Sequence, residues 1–352
     1  MIVVYLYSVP HDSNHLCTVA AMSEPTPFPL PTSFPPTDTL YYPATRDAPT
    51  APLLLFLPGN PGLINYYRNF LSTLHSLHPY LTILGASHAG FTPTAPSTRH
   101  SASWAWQWGP GPWGLSPQVV LKRALLEHAV AHLSGERRRV VLMAHSMGAY
   151  LALELVASLL ATPAADVGLV GGVMLFPTVM HIARSPQGRL LTPLLRSALV
   201  QRAAAWAAYA ASWLPRRAVE TAVGVATGQP RDAASVTAVL VTDPDVVRQA
   251  LSLAAEEMAV IDRDTWGEEV WNAGTLAGKG KGKGKGGMVF VFGRGDRWVA
   301  DATREEIVRM RRGGAKMVVD ERGLPHEFCI HHGEVVAELC GGWLRDVLGE
   351  EE

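Results

Sequence analysis

The sequence predicts an α/β fold in which a mostly parallel sheet carries helices on both faces. Three observations predict it. Short uninterrupted apolar runs, such as Leu53-Leu54-Leu55-Phe56-Leu57, stop at Pro-Gly or Gly-containing turns, which is how strands buried on both faces read. These runs alternate with segments of helical periodicity, the pattern of strand–helix–strand crossovers. Between 178 and 275 the alternation lapses into Ala-, Leu- and Trp-rich helical sequence, then resumes, as a helical cap inserted into the sheet requires.

The elements follow in order. Residues 1–45 are proline-rich (PTPFPLPTSFPP); proline lacks an amide donor and fixes φ, so an irregular tail is expected. Met22 is a second possible start. The first part of the core spans 46–177. It opens with the Leu53–Leu57 run, a helix over Tyr66 to Leu77 and a strand over Leu81 to Gly85. A helix over Gln118 to Ser134 comes next, then a strand over Val140 to Ala144, a helix over Ala149 to Leu160 and a strand over Val170 to Phe176. The cap takes 178–277. GKGKGKGKGG at 278–287 lacks the Ser/Thr of a phosphate loop and has no strand leading into it, so a flexible basic linker is expected. The second part of the core, 288–352, supplies a strand over Met288 to Phe292, a helix over Ala302 to Arg312, a strand over Ala315 to Asp320 and a final helix over Gly333 to Leu348.

Composition narrows the function classes. With 30 Lys+Arg against 31 Asp+Glu and a net charge of −1, there is no electrostatic argument for nucleic-acid binding. Three cysteines, Cys17, Cys329 and Cys340, form no disulfide framework, which points to a reducing compartment. Nothing reaches the roughly 18 to 20 apolar residues of a membrane span; membrane contact, if any, is expected at the surface.

The chemistry concentrates at Ala144-His145-Ser146-Met147-Gly148, between a buried strand and an apolar helix. Small residues two positions either side of the serine suit a sharp nucleophile elbow, with alanine in place of the first glycine. Such a turn lifts Ser146 Oγ above the sheet edge and aims the Met147 amide at a developing oxyanion. An ordinary strand-to-helix turn is the plain alternative. A serine needs a base, and the base an orienting acid. In this topology they follow in the order Ser, acid, His, each after a late strand. Asp296, after the Met288–Phe292 run, and His326, after the last strand, occupy those places. Asp301 and Asp320 are the rival acids, Asp301 reading more as a helix N-cap. His331 and His332 are rival histidines expected to begin the last helix. A metal site of His326, His331 and His332 lacks an H-E-x-x-H spacing. The loop Pro58-Gly59-Asn60-Pro61-Gly62 should supply the second oxyanion donor; Pro61 has no N–H, leaving the Asn60 amide. The mechanism these residues suggest needs no metal and no organic cofactor.

Leu57-Pro58-Gly59-Asn60-Pro61-Gly62 with Tyr66, Tyr67 and Phe70 resembles the opening of the lipid droplet-associated hydrolase family of α/β-hydrolases. So do Ser87-His88-Ala89-Gly90, and Leu115 with Gln118, Val119 and Lys122. The elbow through Ala149-Tyr150 resembles that family's elbow. Leu175-Phe176-Pro177-Thr178, Ser185-Pro186-Gln187-Gly188-Arg189 and Thr192-Pro193 resemble the start of its cap. Gly295-Asp296-Arg297-Trp298 and Gly323-Leu324-Pro325-His326-Glu327-Phe328 resemble its acid and histidine loops. The resemblance covers roughly residues 50 to 345. It implies an α/β-hydrolase fold and a serine hydrolase of carboxylic esters of lipids, such as sterol esters or other neutral lipids. It also implies residence at the lipid droplet or endoplasmic reticulum monolayer, with the cytosol as a further location. A droplet coat or tethering protein that keeps the fold, and a soluble esterase or thioesterase, are the alternatives. The Lys-Gly run and the aromatic insert Trp104, Trp106, Trp108 and Trp113 depart from the family pattern; the insert could line an acyl pocket or cover the core.

In the cap, Trp206, Tyr209 and Trp213 fall at spacings of three and four, one face of a helix. Arg216 and Arg217 follow. This face suits a lipid monolayer, or it packs down on the core; the sequence leaves both open.

Overall fold

The computed structural model describes residues 23–46, 50–92, 111–133, 138–274 and 287–349. Met22, Trp104, Trp106, Trp108 and most of the Lys-Gly run lie outside the described residues. Seven strands form one sheet in the order β1-β3-β2-β4-β5-β6-β7. β2 (Leu53–Leu57), β3 (Thr82–Ala86), β4 (Arg138–His145), β5 (Val167–Leu175), β6 (Gly287–Gly293) and β7 (Lys316–Asp320) are parallel. All five residues of β2 are buried, as expected of a strand covered on both faces.

β1 (Thr39–Tyr42) corrects the reading of residues 1–45 as irregular. It pairs antiparallel with β3 and buries Leu40 and Tyr42 against the core. Four residues alternating only twice give too short a period to register beside the proline run, and only the exposed edge of β3 makes them a strand.

Helices cover both faces. α1 (Arg68–Leu77), preceded by a 3-10 turn at Ile64–Tyr67, packs with the last helix α12 (Gly333–Leu348). α2 (Leu115–Leu133) packs with α3 (Met147–Ala161), which lies on β4 and β2. Between β5 and β6 the chain builds α4 (Pro186–Leu195), α5 (Ala198–Ala211), α6 (Arg216–Thr227), α7 (Arg231–Thr242), α8 (Pro244–Val260) and the single turn α9 (Glu268–Trp271). α10 (Asp301–Met310) separates β6 from β7, and a short α11 (Phe328–His331) precedes α12.

Ser185 caps α4, its side chain accepting from the Gly188 N–H, and Asp243 caps α8 by accepting from Asp245 and Val246. These caps satisfy amides that have no partner within their own helix. The strands run parallel, so the loops after β2, β4, β6 and β7 all emerge at one sheet edge. That edge is where open α/β sheets place their sites.

Candidate active site

Ser146 sits between the end of β4 and the start of α3 with φ 54 and ψ −125, a left-handed conformation that a side-chain-bearing residue adopts only under strain. Surrounding contacts hold it there. Its N–H donates to the Leu175 carbonyl at 3.0 Å, and its carbonyl accepts from the Ala149 and Thr178 amides. A Cβ on Gly148 would lie 2.4 Å from the Leu57 carbonyl oxygen and 2.5 Å from that of Pro58. Glycine there lets α3 approach the loop after β2. A Cβ on Gly59 would meet Ser146 Cβ at 3.0 Å, so the Pro58–Gly62 loop lies directly against the serine.

The structure brings Ser146, His326 and Asp296 together. Ser146 Oγ lies 2.8 Å from His326 Nε2, and His326 Nδ1 lies 2.7 Å from Asp296 Oδ2. With the hydroxyl donating to Nε2, Nδ1 carries the proton that the carboxylate accepts. Asp296 Oδ1 also accepts from the Trp298 and Val299 amides at 2.7 and 3.3 Å, which fixes the carboxylate plane. Its side chain is almost wholly buried.

The rivals are engaged elsewhere. Asp320 accepts from the Arg322 and Leu324 amides and pairs with Arg322 Nε at 2.6 Å. Asp301 is the first residue of α10, not its N-cap, which is Ala300; it pairs with Arg304 and accepts from the Gly295 amide. His331 ends α11, apart from the last helix, whereas His332 is the N-cap of α12 and so begins it as expected. Among the described residues no group of three His, Cys, Asp or Glu side chains is arranged to hold a metal ion.

Sequence reasoning passed over the supports beneath the site. His145, the residue before the serine, is fully buried, and burial together with His326 pushes its imidazole well below the ordinary value. A neutral ring has one donor and one acceptor nitrogen. Tyr67 Oη lies 2.7 Å from His145 Nδ1, and His145 Nε2 lies 2.8 Å from the His326 carbonyl. The Gly59 amide donates to Tyr67 Oη at 3.1 Å. Tyr67 thus accepts from the loop after β2 and donates to His145, which donates to the backbone of His326. The chain ties three loops of the sheet edge to one another. His88 Nε2 donates to the Pro58 carbonyl at 2.9 Å, a further brace on the same loop. A histidine before the elbow serine and a Tyr-Tyr pair after the Pro-Gly loop are visible in sequence, but their bonds join residues 78 and 181 positions apart.

Neither the Asn60 nor the Met147 amide makes a hydrogen bond within the described residues outside the helix and strand ladders. The Asn60 side chain is committed to the cap: Nδ2 donates to the Ala250 carbonyl at 3.1 Å and to Glu257 Oε1 at 2.7 Å. From the same helix, α8, Gln249 exchanges hydrogen bonds with the Trp113 backbone at 2.7 and 2.8 Å, and Glu256 accepts from the Leu115 amide. The α4 end of the cap meets the acid loop where the Gln187 amide donates to the Arg297 carbonyl.

The outer cap answers the question left open by the sequence. α5 buries Ala204 and Ala208 against Val247 and Leu251 of α8. Leu199, Trp206 and Trp213 are 75%, 71% and 76% exposed, and Tyr209 is 47% exposed. Trp206, Tyr209 and Trp213 make edge-to-face contacts with centroids 5.9 and 6.2 Å apart. The stripe faces solvent and is not core. Beside Trp206 and Tyr209 lies a cleft of about 550 Å³ that also exposes Arg202 and Arg248. No acidic residue occurs between Asp166 and Glu220, whereas Arg184, Arg189, Arg196, Arg202, Arg216 and Arg217 all do.

A seven-stranded, mostly parallel sheet with its elbow and late loops at one edge defines a hydrolase of the α/β-hydrolase fold. Solved structures agree on the fold. A haloalkane dehalogenase loop variant from Bradyrhizobium elkanii aligns with a TM-score of 0.55 at 16% identity, covering 88% of this chain and 93% of its own. The 2-hydroxy-6-oxo-6-phenylhexa-2,4-dienoate hydrolase of Rhodococcus aligns at 0.52 and 16% identity, covering 88% and 94%. The lipid-droplet associated hydrolase family matches residues 50–329. Among curated relatives, the lipid droplet-associated hydrolase of Gallus gallus is 30% identical over 301 residues, 84% of this chain and 85% of its own. That of Homo sapiens is 24% identical over 314 residues, 85% and 86% of the two chains. The chain belongs to the lipid-droplet associated hydrolase family.

Proposed function

We propose that this hydrolase cleaves carboxylic esters of lipids, sterol esters or other neutral lipids, at the surface of lipid droplets, using Ser146, His326 and Asp296. The carrying observation is the hydrogen-bonded series from Ser146 Oγ through His326 to Asp296, at 2.8 and 2.7 Å. Ser146 Oγ attacks the ester carbonyl as His326 Nε2 takes its proton. Asp296 holds the Nδ1–H and stabilises the imidazolium that forms. The Met147 and Asn60 amides receive the oxyanion; a donor of this kind is worth about 10²–10³ in rate. His326 then protonates the departing alcohol, and a water deprotonated by the same nitrogen releases the acid. No step calls for a metal or organic cofactor.

The droplet surface is supported by the names of the relatives and by the cap's outer face. Its exposed aromatics offer apolar area, and Arg202, exposed beside Trp206 in the same cleft, offers a cation to the phosphates of a phospholipid monolayer. Among the described residues no helix is long and apolar enough to cross a membrane. The test is labelling with a fluorophosphonate and hydrolysis of a short-chain ester. Ser146→Ala should lose both, by about 10⁴-fold or more in rate, with its melting temperature retained. A folded Ser146→Ala protein within tenfold of wild type refutes the assignment; a folded wild-type chain that neither labels nor hydrolyses favours a coat or tethering role.

A further inference from the structure

We infer that Glu257, on cap helix α8, is a positioning residue for the oxyanion loop, holding Asn60 so that its backbone amide faces the carbonyl oxygen of the ester attacked by Ser146. The inference rests on the serine mechanism proposed above and assigns to the cap a part in the chemistry besides covering the site.

Both protons of the Asn60 side-chain amide go to α8. One meets the Ala250 carbonyl at 3.1 Å and the other Glu257 Oε1 at 2.7 Å. Asn60 lies in a loop whose next residue, Pro61, has no amide proton, and whose preceding residue, Gly59, donates its amide to Tyr67 at 3.1 Å. The Asn60 N–H is therefore the amide of this Gly-Asn-Pro stretch left for an oxyanion. Its direction depends on how the peptide plane is held, and the side chain is the handle. Gly59 stands against Ser146, so a small rotation of the next residue moves the donor relative to the serine. An oxyanion donor acts only within hydrogen-bonding distance of the developing charge.

The chemistry of Glu257 suits the task. It is 4% exposed, and burial, with Glu256 beside it, raises its carboxyl to about 8. That shift favours the uncharged acid at neutral pH. A neutral acceptor holds Asn60 without placing a negative charge behind the oxyanion, where a carboxylate would oppose the charge that the site must stabilise.

Steady-state hydrolysis of a soluble ester and the rate of fluorophosphonate labelling test this on the full chain, with Ser146→Ala as the zero. E257M keeps the volume and removes the acceptor. We expect kcat and the labelling rate to fall together by about 10- to 100-fold, within the range for a misplaced oxyanion donor, while KM changes by less than about twofold. E257Q, which keeps a neutral Oε1 acceptor, should restore most of that loss. N60A removes the same contact from the other side and should lower kcat similarly, and adding E257M to it should cost less than a further twofold. If E257M does not fold, N60A alone decides: a kcat within twofold of wild type overturns the proposal. So does an unaffected kcat in folded E257M, E257Q damaged as much as E257M, or additive losses in the double variant. Activity retained in Ser146→Ala, or absent from wild type, refutes the serine mechanism instead and removes the role with it.

Discussion

Replacing Trp206, Tyr209 and Trp213 with serine should release the protein from phospholipid-coated droplets while leaving its fold and its chemistry intact. The three side chains are 71%, 47% and 76% exposed, and aromatic side chains carry about 150–250 Å² each. The area they already show to water is therefore on the order of 400 Å². At about 25 cal/mol per Å² its full transfer into an apolar phase would be worth about 10 kcal/mol, a ceiling reached only by complete insertion. Partial immersion and the ordering of the protein at the surface reduce this by half or more. What remains is a few kcal/mol, on the order of 100-fold in partition. The cost to folding is small, because the buried contact of α5 is made by Ala204 and Ala208 and not by the aromatics. The loss there is confined to two edge-to-face ring contacts, about 0.5–1.5 kcal/mol each. Flotation with triacylglycerol droplets coated in phospholipid measures the partition; a soluble ester and a thermal melt check the rest. A triple variant that folds, hydrolyses the soluble ester and still floats with the droplets refutes the reasoning. One that unfolds or aggregates shows that the stripe carries folding energy the structure does not assign to it.

Asp296→Asn should lower kcat by about 10⁴-fold through the wrong histidine tautomer with little change in melting temperature. Asp301→Asn and Asp320→Asn should stay within a few-fold in rate; an equal loss in either would move the acid. Gly148→Val should fail to give stable folded protein, judged by expression and circular dichroism, because its Cβ would sit 2.4 Å from the Leu57 carbonyl oxygen. The pH dependence of unfolding carries the mark of Glu257. Its carboxyl titrates near 4.5 when unfolded and about 8 when folded, so between those values the folded state binds the extra proton and stability falls as pH rises. E257Q should flatten that slope between about pH 4.5 and 8 in denaturant titrations; an unchanged slope would show that Glu257 is ionised in the folded protein.

The sheet and the meeting of the three candidate side chains were legible because parallel strands buried on both faces leave continuous apolar runs, and because those candidates follow the runs within a few positions. β2 and β7 end where the sequence indicates, β4 and β6 run one residue further, and Ser146, Asp296 and His326 follow at the shared edge. Local order along the chain carries that much, since a strand's end and the loop after it are neighbours in sequence and space alike. Tertiary structure alone decided the rest. β1 exists because β3 offers it an edge. The aromatic stripe of α5 has the same spacing whether it faces core or water; the packing of Ala204 and Ala208 on α8 turns it outward. The bond from Asn60 to Glu257 joins residues 197 positions apart. Periodicity records which side of a helix is apolar, not what stands opposite it, and a contact between distant segments depends on where the whole chain has carried them.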